Sequence, residues 1–140
     1  MSPFERRIAT IGDWGTIEFA MRANGRFPAE EFLDELPPAD RAIFIDLFQQ
    51  MADFGHTHNP SRFSHERRKI YGFKAKGRGN KLIRFPCFQK SNRWILTHGF
   101  FKPGAQRGRG PWPTEELDKA DKTMGEHLAF EGDHNSRNGH

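Results

Sequence analysis

The 140-residue sequence predicts an α+β fold: a small twisted antiparallel sheet with helices packed on one face, in the order β-α-α-β-β-β-α. Three observations predict it. Apolar residues alternate with period two over 16–21 and in three runs within 69–101. They recur at helical spacing over 28–54 and again after Thr114. The turns between the last three runs, Gly77-Arg78-Gly79-Asn80 and Ser91-Asn92, are short, which makes those runs an antiparallel meander.

Taken in order, residues 1–13 show no sustained period and are expected to be loosely ordered. A single domain then spans 14–130. Its first strand turns Ile17, Phe19 and Met21 to one side, and Asn24-Gly25 follows as a turn. Pro28 with Glu30 and Glu31 reads as a helix start, because proline suits the first turn and acids suit the positive end of the dipole. Pro37-Pro38 stops that helix. A second runs over 39–53 with Phe44, Leu47, Phe48 and Met51 as its stripe and Gly55 as its C-terminal cap. These aromatics read as core packing.

Residues 56–65 form a polar connection. His56, His58 and His65 with Cys87 lack the paired short spacings of a zinc site, so no metal is expected. In the first strand of the meander Tyr71, Phe73 and Ala75 face one way, and Gly72, Lys74 and Lys76 the other. In the second, Ile83, Phe85 and Cys87 oppose Leu82, Arg84, Pro86 and Phe88. Pro86 lacks a ladder donor, which marks an irregularity or an edge there. The third covers 93–101. Residues 102–113, rich in Gly and Pro, read either as a linker or as a mobile basic loop that orders on binding. Thr114, Glu115 and Glu116 open the last helix, with Leu117, Ala120, Met124 and Leu128 on its apolar face. Residues 131–140 have nothing to bury and are expected to be disordered.

Composition bounds the function. The single cysteine excludes an internal disulfide framework, and no apolar run approaches the roughly 20 residues of a membrane span. A cytoplasmic protein with no membrane partner is therefore expected. Charge is more specific: residues 61–110 hold 14 Lys or Arg against one acid, Glu66, whereas the whole chain holds 22 bases and 18 acids. Such asymmetry points to a polyanion, RNA above all, held on the sheet.

The words Ile70-Tyr71-Gly72-Phe73-Lys74, Leu82-Ile83-Arg84-Phe85 and Leu96-Thr97-His98-Gly99-Phe100-Phe101-Lys102 precede a proline-led helix with Glu116 and Ala120. In that order they resemble the RelE/ParE superfamily of bacterial toxins, in its HigB-like, phage-derived branch. The family's strands read L-Y-E-L-R, R-I-x-Y-F and L-H-G-F-x-K-K, leading into T-P-x-x-E-I-x-x-A. Phe32-Leu33 is similar to the family's P-V-x-E-F-L. The likeness covers about 14–128.

It implies a RelE-like fold and the toxin of a type II toxin–antitoxin system. Such a toxin is a ribosome-dependent mRNA endonuclease that cuts in the A site by attack of the ribose 2′-OH, without metal or cofactor. Ribosomal RNA and a cognate antitoxin, a helix-turn-helix protein, are the implied partners. The same fold serves ParE toxins that inhibit DNA gyrase without nuclease activity, and a catalytically inactive RNA-binding module is a third reading. The chain departs from the family where Gly72 and Lys74 replace Glu and Arg, where Pro103 follows Lys102, and in the longer loop carrying Arg107 and Arg109.

Cleavage by a 2′-OH requires activation of that hydroxyl, neutralisation of the phosphorane oxygens and protonation of the leaving 5′-oxygen. Lys74 and Lys76 share a strand face, and Arg84 lies on the neighbouring strand. Arg forms a planar fork on phosphate oxygens, and Lys among other cations gives up its proton more readily. Lys74 or Lys76 is therefore the expected base and Arg84 the clamp. Lys102, with Arg107 or Arg109, would complete the clamp or assist the leaving group. His98 is a possible acid–base group, although its place in the His-Gly-Phe word also fits a buried structural role. Arg62, Arg67, Arg68 and Lys69 read as ribosomal RNA contacts, Arg78, Lys81 and Arg93 as further nucleic-acid contacts, and Trp112 as a base-stacking residue.

Overall fold

Strand formation begins earlier than the periodicity suggests. The structure, a computed structural model, describes residues 4–103 and 110–138, with side chains to 133. In it Arg7–Ile11 forms β1, a run of Ile, Ala and Thr that pairs antiparallel with β2, Thr16–Phe19. Gly12 and Gly15 close the turn between them through a 2.9 Å backbone bond.

Two helices follow as their caps predict. α1, Pro28–Glu35, and α2, Pro38–Phe54, each start on a proline, and α2 ends at Gly55 with φ 77, the left-handed geometry that glycine tolerates best. A 3-10 turn, Pro60–Arg62, then leads into β3, Phe63–Arg67, within the stretch expected to be a polar connection. β4, Ile70–Lys76, and β5, Leu82–Lys90, flank a second 3-10 turn at Arg78–Asn80. The expected third strand is two: β6, Arg93–Leu96, and β7, Phe100–Lys102. α3 runs Thr114–Asn138, through the segment expected to be disordered.

The sheet has the order β1-β2-β6-β5-β4-β3, with β7 also paired to β5. It is mixed rather than purely antiparallel, because β2 and β6 run parallel. Along one edge of β5, Cys87–Lys90 pairs with β6 and Leu82–Arg84 with β7. Pro86 sits between those two pairings, opposite Gly72, and its carbonyl accepts from Thr97 N at 2.9 Å. A central strand thus accommodates proline where its partner changes.

The helices do not share one face. Phe44, Leu47, Phe48 and Met51 of α2, with Leu33 of α1, bury against Phe73, Ile83, Phe85, Trp94 and Leu96. On the opposite face Leu117 and Ala120 of α3 cover Ile70, Phe88, Ile95 and Phe100. The α+β class stands; its layers are α/β/α.

A second, ionic bond ties the far half of α3 to the sheet. Arg93 of β6 bridges Glu18 of β2 at 2.9 Å and Glu131 of α3 at 2.6 Å, and Lys90 also pairs with Glu131. Glu18 and Glu131 are buried, at 1% and 2% exposed. Burial alone would raise both carboxyls, but the hydrogen bonds from Arg93, with Arg6 on Glu18 and Lys90 on Glu131, hold each at about 2 instead of 4.5. Beside them His127 accepts from Met21 N at 2.9 Å, and burial lowers its imidazole to about 4. Among the described residues no helix is long and apolar enough to cross a membrane.

Each of these groups has a folded-state pKa below its unfolded one, so unfolding takes up protons on acidification and stability is lost as pH falls. Urea midpoints should therefore decline in two stages, between about 6.5 and 4 as His127 titrates and between about 4.5 and 2 as the two carboxylates do. Arg93→Leu, which leaves two buried carboxylates short of their shared partner, should lower unfolding free energy by about 3 kcal/mol in urea titrations at neutral pH.

Candidate functional site

Toward the Lys76 end of β4 the sheet carries a concentration of cations. Register places Lys74 directly opposite Arg84, and Lys76 opposite Leu82. On the other side of β5, Lys102 stands opposite Leu82 and Phe100 opposite Arg84. The four residues expected to do chemistry, Lys74, Lys76, Arg84 and Lys102, therefore share one face at one end of the sheet. Like charges directly opposite on a ladder are destabilising, and no packing requirement explains them here.

β3 stops pairing at Phe63↔Phe73, which leaves the outer edge of β4 bare from Lys74 onward. The 3-10 turn Pro60–Arg62 fills that gap. Its Ser61 and Arg62, with Lys74, Ala75, Lys76, Leu82 and Arg84, line a pocket of ≈230 Å³. Arg62 was not expected in the pocket, since the register that brings it there is set by β3, a strand the periodicity does not reveal. Among the described residues no carboxylate lies within ion-pair distance of Arg62, Lys74, Lys76 or Arg84.

Arg84 is the centre of the pocket and is only 3% exposed. Its Nη1 donates to the carbonyls of Ile83 at 3.0 Å and Ala75 at 3.4 Å, while its Nε is buried without a partner. Burial lowers the guanidinium's pKa; Glu66 pulls it back up and Arg62 adds to the lowering. A planar donor anchored on one side and unsatisfied on another suits an anion's oxygens.

Trp112 is buried, so it is not a free stacking surface. Its ring packs edge-on to Phe100 at 5.5 Å and lies 6.0 Å from the Arg84 guanidinium. It can do so because residue 72 is glycine: a Cβ there would meet Trp112 Cη2 at 1.9 Å. The residue where the family shows Glu is therefore small to admit an indole from the long loop, and the two departures compensate each other.

The other predicted contacts separate into groups. Arg67 pairs with Asp118 at 2.8 Å and Asp121 at 2.7 Å, and Arg68 with Asp121 at 2.9 Å, so α3 neutralises that end of the sheet. Arg93 is held in the buried network described above and does not present its charge to a ligand. Lys69 and Arg78 are exposed, the latter on a turn whose backbone N–H donates to the buried Asp40 of α2 at 3.0 Å. Lys81 lies over the Phe101 ring at 4.8 Å. Arg107 and Arg109 lie outside the described residues.

His98 is sealed under α3, with Nε2 3.0 Å from Glu116 Oε1 and Nδ1 2.9 Å from Thr97 Oγ1. Burial lowers its pKa despite Glu116, and it is not among the residues lining the pocket. Cys87 is buried in the core, and among the described residues no group of three or more His, Cys, Asp or Glu is arranged to hold a metal.

Replacing Gly72 by Ala should displace Trp112 and cost about 1–3 kcal/mol by overpacking, read as a lower thermal midpoint together with a shifted tryptophan emission.

Compared with curated proteins, the chain finds no significant match. A sequence family described as phage derived protein Gp49-like (DUF891) matches residues 31–125. That stretch runs from within α1 through β3–β7 into α3 and contains every residue lining the cationic pocket. With about two thirds of its length inside the match, the chain belongs to the phage-derived Gp49-like family, a family of RelE/toxin-like proteins.

Proposed function

We propose that the chain is the toxin of a type II toxin–antitoxin pair, of the HigB-like kind, and acts as a ribosome-dependent mRNA endonuclease. The observation that supports this reading is the pocket itself: Arg62, Lys74, Lys76 and Arg84 around one opening, with no carboxylate in ion-pair reach among the described residues. Four cations without counter-charge repel one another, and a phosphate relieves that repulsion.

In the reaction the ribose 2′-oxygen forms a bond to the adjacent phosphorus as the bond from phosphorus to the 5′-oxygen breaks. The products are a 2′,3′-cyclic phosphate and a 5′-hydroxyl. Arg84, anchored by its Nη1, turns its guanidinium charge toward the phosphorane oxygens, where charge develops. Lys74 or Lys76 accepts the 2′-hydroxyl proton, and a cation on the β7 side, Lys102, assists the 5′-oxygen. The exposed Lys69, Arg78 and Lys81 would meet neighbouring phosphates, of the message or of ribosomal RNA. An acidic surface on a cognate antitoxin would cover the Lys74–Arg84 face.

One observation favours a second reading, an RNA-binding module that does not cut. His98 is sealed beneath α3, and Tyr71 packs among Phe63, His65 and Trp94 on the opposite face, which leaves Lys74 and Lys76 as the candidates for proton transfer among the described residues lining the pocket. Mapping mRNA 5′ ends after induced expression decides between them. New ends should accumulate within translated codons for the wild type and fall about a hundredfold or more for Arg84→Ala and for Lys74→Ala, the latter a half-exposed residue whose loss the fold tolerates. Lys74→Ala should also reduce the slope of log affinity for RNA against log salt by about one. Steep salt-dependent binding with no new ends would establish the non-cutting module, and loss of gyrase supercoiling with no new ends would establish a ParE-type inhibitor.

A further inference from the structure

Trp112 stands between two prolines, Pro111 and Pro113, at the approach to α3. A residue before proline is held toward extended backbone. The Pro113 carbonyl accepts from Glu116 N at 3.0 Å and Leu117 N at 3.2 Å, which ties this short stretch to the helix's first turn. The indole belongs to the same buried cluster as Leu117 and Ala120. Phe100, directly opposite Arg84 in the ladder, backs the indole edge-on at 5.5 Å and is itself stacked on His98 at 5.8 Å. On its other side Gly72 makes the room, since a Cβ there would meet three indole carbons at 1.9, 2.5 and 3.0 Å.

A ring fixed this firmly lies over Arg84, with the guanidinium carbon 6.0 Å from its centroid, the outer reach of a cation–π contact. The carbonyls of Ile83 and Ala75 hold Nη1, and no described residue bonds Nη2. One gripped nitrogen does not by itself fix the plane of a guanidinium; a rigid indole against its flank restricts the turning that remains. Binding an anion normally orders a long side chain, and that ordering is worth about two- to tenfold in affinity. Arg84 is ordered on folding instead. The indole also keeps water from the charge, which strengthens its attraction for an anion.

We propose that Trp112 is a positioning residue: it holds the Arg84 guanidinium in a fixed, water-poor setting, so that an RNA phosphate in the pocket meets a preordered cation. The proposal rests on the reading of the pocket as an RNA phosphate site. It gives Gly72 a part in the same device, as the space that lets the indole reach Arg84.

The test uses the full chain and two measurements. One is the exchange rate of the Arg84 Nε proton by NMR, a buried group with no partner and therefore a direct reporter on this side chain. The other is affinity for a single-stranded oligoribonucleotide at fixed salt. Trp112→Leu, which keeps apolar bulk, should speed that exchange by about tenfold or more and weaken RNA by about three- to tenfold. Gly72→Ala pushes the same indole away and should reproduce both effects with Trp112 still present. In an Arg84→Gln background Trp112→Leu should change RNA affinity by less than about twofold, because residues acting through one group are not additive. A merely structural tryptophan would give equal losses in both backgrounds and leave the Arg84 proton unchanged; either result would overturn the positioning role. If the wild type binds no RNA, the phosphate reading fails and the Arg84 exchange rate alone decides whether Trp112 holds the guanidinium. If RNA binds and the losses are additive, the positioning role fails alone.

Discussion

Arg84 brings a full charge into the interior of a sheet with no carboxylate at ion-pair distance among the described residues, and much of the surrounding structure is arranged to make that tolerable. Two strand carbonyls take its Nη1, the Trp112 ring covers it at 6.0 Å, and Lys74 faces it across the ladder. A buried unpaired guanidinium costs several kcal/mol unless hydrogen bonds offset it, and here the offset is partial because Nε has no partner. An apolar residue at position 84 would pack between Leu82 and Phe88 with no such cost. Stability alone does not account for an arginine there; the proposed phosphate would complete its hydrogen bonding.

The same contrast organises the whole charge distribution. The sequence shows one basic block and acids elsewhere, but the fold lays the acids of α3 across much of that block. Asp118 and Asp121 neutralise Arg67 and Arg68, Glu126 pairs with Arg22, and Glu131 with Lys90 and Arg93. At the opposite end of β4 and β5, Lys74, Lys76 and Arg84 meet no acid at ion-pair distance among the described residues. The helix that anchors through Arg93 therefore also narrows the open site by neutralising Arg67, Arg68, Lys90 and Arg93. Its N-terminal approach carries Trp112 onto Gly72 and beside the Arg84 guanidinium.

Sequence reading fails at the edges. β1 and β3 border the sheet and bury one side only in part, so their alternation is weak and their pairing partners decide their existence. α3 outruns its apolar stripe, which ends near Leu128, because Glu131 is held by cations 38 and 41 positions earlier. Arg93 looked like a surface cation because its partner Glu18 lies 75 positions away. Nothing in a local window separates a base that meets an acid in space from one that meets solvent.

The sequence by itself determined the helix start at Pro28, the break at Pro37-Pro38 and the cap at Gly55. It also placed Phe73, Ile83 and Phe85 on one face of the meander and Lys74, Lys76 and Arg84 on the other. Caps and the two-residue alternation of a strand are local properties, carried by neighbours a few positions apart. Only the tertiary structure decided that helices cover both faces, that Arg62 joins the pocket, that Trp112 is a cover rather than a platform, and which bases remain unpaired. Those outcomes depend on register and on ion pairs between residues tens of positions apart, whose energies exist only once the sheet and α3 have met.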